Sequence, residues 1–436
     1  MSKNNENKLV PKLRFPEFEN DGEWKEKKFD DLCKFVRGPF GGALKKEIFV
    51  NEGYAVYEQQ HAIYNDFTSF RYFISQEKYN ELKRFSVLPK DIIMSCSGTM
   101  GKFAVIPENP KEGIINQALL KLTVKPDYEI GFIKTSLELP VTQNKLLSQS
   151  AGGAIKNVVE VAQIKEINLL IPERKEQQKI AACLSSLDEV ITAESQKLAL
   201  LKDHKKGLLQ NLLPQAGETV PKFRFKEFEN SGEWEIRSVG DNIDLISGIA
   251  IKSEDLSDDK SGTPILRGIN ITEGEVRHSY EMDKFYLGAV KTFEKYLVEE
   301  NDIVIAMDGS KVGKNVAMIS SNDAGAILIQ RVARIRAINS DIKYLYQHFL
   351  SNNFRNYVDV VNTSSGIPHI SAKQIRDFEI GFPPKIEEQQ KIASTLSSID
   401  DLIIAQNQKL EALQLHKKGL LQGLFPSVND GDNGKI

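Results

Sequence analysis

The sequence predicts an α+β protein in which two mixed α/β domains are joined by two long helices. The helices form an antiparallel coiled coil, and the whole is a pseudo-two-fold internal repeat. Three observations carry this expectation. The chain has 436 residues, enough for more than one domain at ~100–200 residues each. Residues 11–24, PKLRFPEFENDGEW, recur at 221–234 as PKFRFKEFENSGEW. Residues 172–214 recur at 384–426 with 26 of 43 positions identical, and this second block has the apolar spacing of a long helix.

Taken in chain order, the opening MSKNNENKLV has no apolar core and is not expected to be a secretory signal. The first domain is expected over 1–171, a central helix over 172–214 and the second domain over 215–383. A C-terminal helix over 384–426 and a flexible tail over 427–436 complete the chain. Residues 33–88 and 245–299 barely align, yet landmarks around them pair up. Lys90-Asp91-Ile92-Ile93 answers Asn301-Asp302-Ile303-Val304, and Gly98 with Gly101-Lys102 answers Gly309 with Gly313-Lys314. Gln117 answers Gln330, and Gln163-Ile164-Lys165 answers Gln374-Ile375-Arg376, read as a strand leading into a proline. Short β-rich runs predict strands over 92–94, 104–106, 119–124, 303–306 and 327–329. Residues 132–146 and 344–356 read as helices, and 150–153 and 363–366 as loops.

In the long block, Ile180, Leu184, Leu187, Ile191, Leu198, Leu201, Leu208 and Leu212 step by four and three, with Glu194 and Lys205 in the remaining places. The second copy repeats this with Ile392, Leu396, Ile399, Ile403, Leu410, Leu413, Leu420 and Leu424 around Gln406 and Lys417. A heptad held this long predicts a coiled coil. Pro172 and Pro384 suit a helix start, and Glu173, Glu176, Glu387 and Glu388 suit its positive end. Pro214 and Pro426 close it. Gly207 and Gly419 cost ~1 kcal/mol inside a helix and suggest a kink or an early cap. The first helix leaves one domain and reaches the other, so a paired second helix must run back. Roughly 33 residues at ~1.5 Å each make a strut of ~50 Å.

Composition narrows the function. The chain is 41% apolar and 27% charged, which excludes disordered and collagen-like classes. No apolar run approaches the ~18–20 residues that span a bilayer, so no membrane partner and a cytoplasmic location are expected. Cys33, Cys96 and Cys183 lie far apart, against a disulfide framework or a zinc site of the usual spacing. Net charge is −3, so any nucleic-acid affinity must come from local positive charge or from a partner.

A search for catalytic patterns finds none. SGTMGK and DGSKVGK lack the spacing and the Ser/Thr of a phosphate-binding loop and read as turns between strands, from which Lys102 and Lys314 could still meet a backbone phosphate. Pro126-Asp127 followed by Glu173-Arg174-Lys175 resembles a nuclease pair, but the latter opens a helix and the second copy has no equivalent. Neither a dinucleotide fingerprint nor an amino-methyltransferase motif is present, and the six histidines show no metal spacing. Polar and cationic residues gather where the two copies differ. In the first copy they are Gln59, Gln60, His61, Arg71, Arg84 and Lys156, with Ser97, Thr99 and Lys102 in the glycine turn. In the second they are Arg267, Asn270, Arg277, His278, Lys311, Lys314, Arg331 and Arg334, with Ser310 in the turn. Arg, Lys, Asn and Gln are the types that read base edges.

Ordered together and duplicated, these features resemble the DNA-specificity subunit of type I restriction–modification systems. The marks are Asp91-Ile92-Ile93, Ser97-Gly98-Thr99, Asn116-Gln117, and Pro172 with Glu176-Gln177-Gln178-Lys179-Ile180. In the second copy they are Asp302-Ile303-Val304, Asp308-Gly309-Ser310, Gln330, and Pro384 with Glu388-Gln389-Gln390-Lys391-Ile392, with Ile329 standing where the first copy has Asn116. The resemblance covers about residues 11–426. It implies two target-recognition domains, each reading half of a bipartite site on double-stranded DNA. It also implies two methylation subunits and ATP-dependent restriction subunits as partners. S-adenosylmethionine, ATP and magnesium would then be bound by those partners and no cofactor by this chain. Two other classes compete: a nuclease or methyltransferase with a cryptic site, and a coiled-coil scaffold that meets no nucleic acid. The missing catalytic pattern argues against the first, and divergent blocks beside a near-identical strut argue against the second.

Overall fold

The computed structural model describes residues 9–148, 161–215, 217–362 and 368–426. It divides into two compact units. The first holds the residues up to Ser195 together with those from Lys409, and the second runs from Gln196 to Gln408.

The first unit begins with β1 (Lys25–Lys28), α1 (Phe29–Leu32), β2 (Cys33–Arg37), β3 (Phe49–Val50), β4 (Tyr54–Tyr57) and α2 (Gln59–Tyr64). It continues with β5 (Phe73–Ile74), α3 (Gln76–Glu81), β6 (Ile92–Ser95), β7 (Phe103–Val105), β8 (Gly113–Ile115) and β9 (Leu119–Val124). Then come α4 (Ile130–Glu138), α5 (Pro140–Ser148), α6 (Val161–Lys165), β10 (Asn168–Ile171) and the start of α7 (Arg174–Leu212). Its strands make a four-stranded sheet β2-β9-β6-β7, a second one β3-β5-β4-β8, and the pair β1-β10. The second unit repeats this order with β11 (Glu235–Ser238), β12 (Ile243–Ser247), β13 (Leu256–Ser257), β14 (Thr263–Leu266) and β15 (Phe285–Tyr286). Next are β16 (Ile303–Ala306), β17 (Val316–Met318), β18 (Ile327–Leu328), β19 (Val332–Ala337), α8 (Ile342–Leu350) and α9 (Asn352–Val361). α10 (Ala372–Arg376), β20 (Glu379–Phe382) and α11 (Ile386–Leu424) end it, and its sheets β12-β19-β16-β17, β13-β15-β14-β18 and β11-β20 match the first set strand for strand.

The near-identical sequence blocks hold each unit together. In the first, Arg14 makes a bidentate pair with the buried Glu176 at 2.8 and 2.7 Å. In the second, Arg224 does the same with Glu388 at 2.7 Å through both nitrogens. The neighbouring glutamine latches the domain onto its helix. Gln177 accepts the Glu129 N–H at 2.9 Å, and Gln389 accepts the Asp341 N–H at 3.0 Å. Each unit also contains the end of one long helix and the start of the other. Trp24, Phe132 and Phe425 form an aromatic trio with centroids 5.4–5.8 Å apart, so Leu424 at the end of α11 and Phe425 just past it complete the first core. Leu212 and Leu213 at the end of α7 join Trp234, Tyr344 and Phe382 in the second. Within the first unit the helix segments run antiparallel, with Lys417 paired to Asp188 and Lys409 to Glu194. Within the second, Lys205 pairs with Asp400 at 2.6 Å.

Four expectations need correction. The helix expected over 132–146 is two helices, because Leu139 precedes a proline and takes an extended ψ of 141°. The helix expected over 344–356 breaks at Ser351, whose hydroxyl caps α9 by accepting the Phe354 N–H at 3.3 Å. Gln163-Ile164-Lys165 and Gln374-Ile375-Arg376 are helical, not strands, and the strands β10 and β20 follow them. The cause is a Ser-x-x-Gln capping box in the second copy: Ser371 Oγ accepts the Gln374 N–H at 3.2 Å, and Gln374 Oε1 accepts the Ser371 N–H at 2.8 Å. Both long helices run unbroken through Gly207 and Gly419, so neither glycine is a cap, and Pro172 and Pro384 stand two residues before the first helical residue. The expected loops 150–153 and 363–366 and the tail 427–436 fall outside the described residues.

Candidate nucleic-acid interface

Strand register decides which loops meet. In the first unit, β2 pairs Arg37 with Leu120, β6 pairs Ser95 with Leu119 and Met94 with Phe103, and β4 pairs Tyr57 with Ile115 in parallel. The ends of β2, β4, β6 and β8 and the starts of β7 and β9 therefore share one edge. The loops there are the β2 exit (residues 38–44), the start of α2, the β6–β7 hairpin (96–102) and the β8–β9 turn (116–118). Direct contacts close the edge. Cys96 N–H donates to the Ala118 carbonyl at 2.8 Å, Asn116 N–H to Tyr57 at 2.9 Å, and Ser97 Oγ to Gln59 Oε1 at 3.3 Å. A side chain at Gly38 would strike the Asn116 carbonyl, so this loop approaches the turn as only glycine allows.

The second unit builds the same edge from the ends of β12, β14, β16 and β18. Its loops enclose a cleft of about 530 Å³ whose walls include Arg267, Ile269, Asp308, Lys311, Gln330 and Arg331. Arg331 donates to Asp308 Oδ2 at 2.7 Å. It does so from a left-handed backbone, φ 70°, which costs a non-glycine residue on the order of 1–3 kcal/mol and is typical of ligand clamps. The glycine turns are hairpins between strands, with Gly98, Gly101, Gly309 and Gly313 all at positive φ.

The edges gather most of the sequence-predicted residues. Gln60, Arg71, Thr99 and Lys102 are exposed on or beside the first, and Gln59 and Ser97 are half-buried against each other. Arg71 stacks on Tyr72, 4.9 Å from the ring centre. Ser310, Lys311, Lys314 and Arg331 are exposed on the second edge. Arg267 is half-buried and donates to the Met282 carbonyl, while the exposed Arg277 donates its N–H to the Asn270 carbonyl at 2.7 Å. Three residues do not fit a contact role. Arg334 is 4% exposed inside β19, where it pairs with Asp244 at 2.5 Å, and the other two cap their own loops. His61 and Asn270 are each 1% exposed. They occupy the same topological place, and each bonds back to the chain three residues earlier. His61 Nδ1 accepts the Glu58 N–H at 2.9 Å, and Asn270 Oδ1 accepts the Arg267 N–H at 3.2 Å. Both fix the loop rather than face solvent. Lys156 lies outside the described residues.

Sequence reasoning also left residues on the edges out of its contact candidates, naming Gln117 and Gln330 only as paired landmarks and marks of the resemblance. Gln117 and Gln330 are exposed at equivalent turns, and their recurrence amid divergent sequence was the available signal. Phe40 is 94% exposed on the β2 exit, and the Gly-Pro-Phe-Gly-Gly string around it marked a loop built to present one side chain. The electrostatics are local. Burial raises the Glu58 carboxyl, opposed by His61 and Arg71. His278 is held between Asp323 at 2.7 Å and Asp283 at 3.1 Å. Among the described residues no group of three or more His, Cys, Asp or Glu side chains could hold a metal, and no helix is long and apolar enough to cross a membrane.

Comparison with known proteins identifies the family. The type I restriction modification DNA specificity domain matches twice, over residues 21–203 and 231–415. The chain is 28% identical over 247 residues to the type I restriction enzyme EcoAI specificity subunit of Escherichia coli, covering 56% of this chain and 38% of that protein. It is 21% identical over 349 residues to the MjaIX specificity subunit of Methanocaldococcus jannaschii, covering 78% and 77%. A crystal structure of the S subunit of a type I restriction-modification system from M. genitalium superimposes with a TM-score of 0.64 at 16% identity, covering 97% of this chain and all of that one, and so shares the fold. With two family domains spanning most of its length, the chain belongs to the type I restriction modification DNA specificity family.

Proposed function

We propose that each unit reads one half of a bipartite, asymmetric double-stranded DNA target through its loop edge. Two methylation subunits dock on the helices, and ATP-dependent restriction subunits join the assembly. In this reading the chain is not itself catalytic, and S-adenosylmethionine, ATP and magnesium are bound by the partners. The carrying observation is the pair of equivalent edges, built on a near-identical frame that includes Gln117 and Gln330 but furnished with different side chains: Gln60 and Thr99 on one, Lys311 and Arg331 on the other. A common frame with individual edges fits one mode of assembly and two targets. Docking on the helices is supported by apolar side chains that the helices leave in solvent, among them Leu200 at 68% and Leu415 at 70% exposure.

DNA affinity comes mainly from neutralised phosphates, and net charge is −3. Alone, the chain should bind duplex weakly and lose it as salt rises. With methylation subunits, binding should tighten and become sequence-specific. Mobility shifts with and without those subunits test this, together with radiolabelled methyl transfer by the lone chain. Nanomolar binding or methyl transfer by the isolated chain would overturn the reading.

A further inference from the structure

We propose that Phe40 is an apolar wedge that the first unit inserts at a base step of its half-site, unstacking and kinking the DNA there, while the equivalent loop of the second unit presents no aromatic ring. The proposal rests on the DNA-reading function above. Phe40 is the most exposed large apolar side chain among the described residues, at 94%. An exposed phenylalanine on a mobile tip would mean little, but this one is held. Gly38 is pressed against the Asn116–Gln117 backbone, and its N–H donates to the Leu119 carbonyl at 3.0 Å. Pro39 is buried. The Phe40 carbonyl accepts the Ala43 N–H at 2.8 Å, and Leu44 is buried just beyond. The loop is anchored on both sides and turns one ring outward.

Position and charge identify the occupant. The loop leaves the end of β2, at the edge where the hairpin and turn of the first unit converge. Phe40 therefore faces whatever that edge faces. Lys45 and Lys46 follow five and six residues later and are exposed, two cations on the same chain segment that can meet flanking phosphates. Apolar wedges with basic neighbours are how proteins pry base steps apart. The equivalent loop of the second unit has the same anchor, since a side chain at Gly248 would strike the Ile329 carbonyl. It carries Ile249-Ala250-Ile251 instead. Ile249 bridges to Ile329, and Ala250 is what reaches solvent.

The test uses the full chain assembled with its methylation subunits on the target found by methylome sequencing. 2-Aminopurine is placed in turn at each step of both half-sites, avoiding methylated positions, where base flipping would also raise fluorescence. The wild type should brighten the probe at one step of the first unit's half-site and nowhere in the other. Phe40→Ala should abolish that signal and weaken binding about 5- to 150-fold, the range for losing one aromatic–base stack. The melting temperature should stay unchanged. Phe40→Trp should retain the signal. Equal brightening by wild type and Phe40→Ala, or brightening in both half-sites, would overturn the wedge while leaving DNA reading intact. So would loss of subunit assembly in Phe40→Ala with fluorescence unchanged, which would assign the ring to a protein partner. A wild-type assembly that binds no specific duplex would overturn both.

Discussion

Replacing Arg14 by alanine should unfold the first unit before the second. Arg14 and Glu176 are 6% and 1% exposed. Arg14 also donates to the carbonyls of Asp21 and Gly22 at 2.7 and 3.2 Å, tying the N-terminal segment to the start of α7. Removing the guanidinium strands a buried carboxylate, which costs on the order of 3–5 kcal/mol. At ~2–4 °C per kcal/mol for a domain of this size, the first unit should melt roughly 6–20 °C lower. The assay is built into the sequence. The chain has two tryptophans, and Trp24 and Trp234 are each 2% exposed in the core of a different unit. Trp24→Phe and Trp234→Phe backgrounds therefore report the units separately. The Trp24 signal should shift and the Trp234 signal should not, with Arg224→Ala giving the reverse. Replacing both partners, Arg14→Met with Glu176→Leu, should recover most of the loss, since an apolar pair leaves no charge stranded. A loss below about 1 kcal/mol, or an equal shift at both tryptophans, would refute the claim that these pairs latch each unit.

Other outcomes follow from single residues. Burial holds His348 neutral, with its pKa pushed down to about 3. The unfolded chain titrates near ~6.5, so the second unit should lose about 1.4 kcal/mol per pH unit as pH falls from ~6.5 toward ~3. His348→Gln should flatten that slope at the Trp234 probe, while an unchanged slope would contradict the burial argument. Gly207 and Gly419 have nothing within 4 Å of a would-be Cβ, so alanine at either should raise stability by ~1 kcal/mol in urea titration. Gly423, whose would-be Cβ collides with Leu13, should instead lose stability as alanine.

The repeat, the two long helices and the central strands were legible because each has a period. The heptad from Ile180 to Leu212 and the buried runs at 92–95 and 303–306 announce themselves. The sharp breaks at Leu139 and Ser351 were not, because each depends on one backbone angle or one cap that apolar spacing does not encode. The loop edge proposed to read DNA was half legible. Residue type singled out Thr99, Lys102, Lys311 and Arg331, which are exposed there. The same criterion wrongly favoured His61 and Asn270, because a polar side chain that caps its own loop has the composition of one that contacts a ligand. Phe40 was passed over for the opposite reason: an apolar residue is read as core unless its neighbours show that it has nowhere to go.

The central claim, that two edges read two half-sites independently, is tested most directly by methylome sequencing of hosts carrying edge variants with the partner subunits. One variant combines Gln60→Ala, Thr99→Ala and Gln117→Ala, all exposed on the first edge. The other combines Lys311→Ala, Gln330→Ala and Arg331→Ala, all exposed on the second. The account predicts that each variant relaxes one half of the methylated motif, a different half in each case, and leaves the other half as in the wild type. Relaxation of both halves by either variant, or a wild-type motif from both, would contradict it.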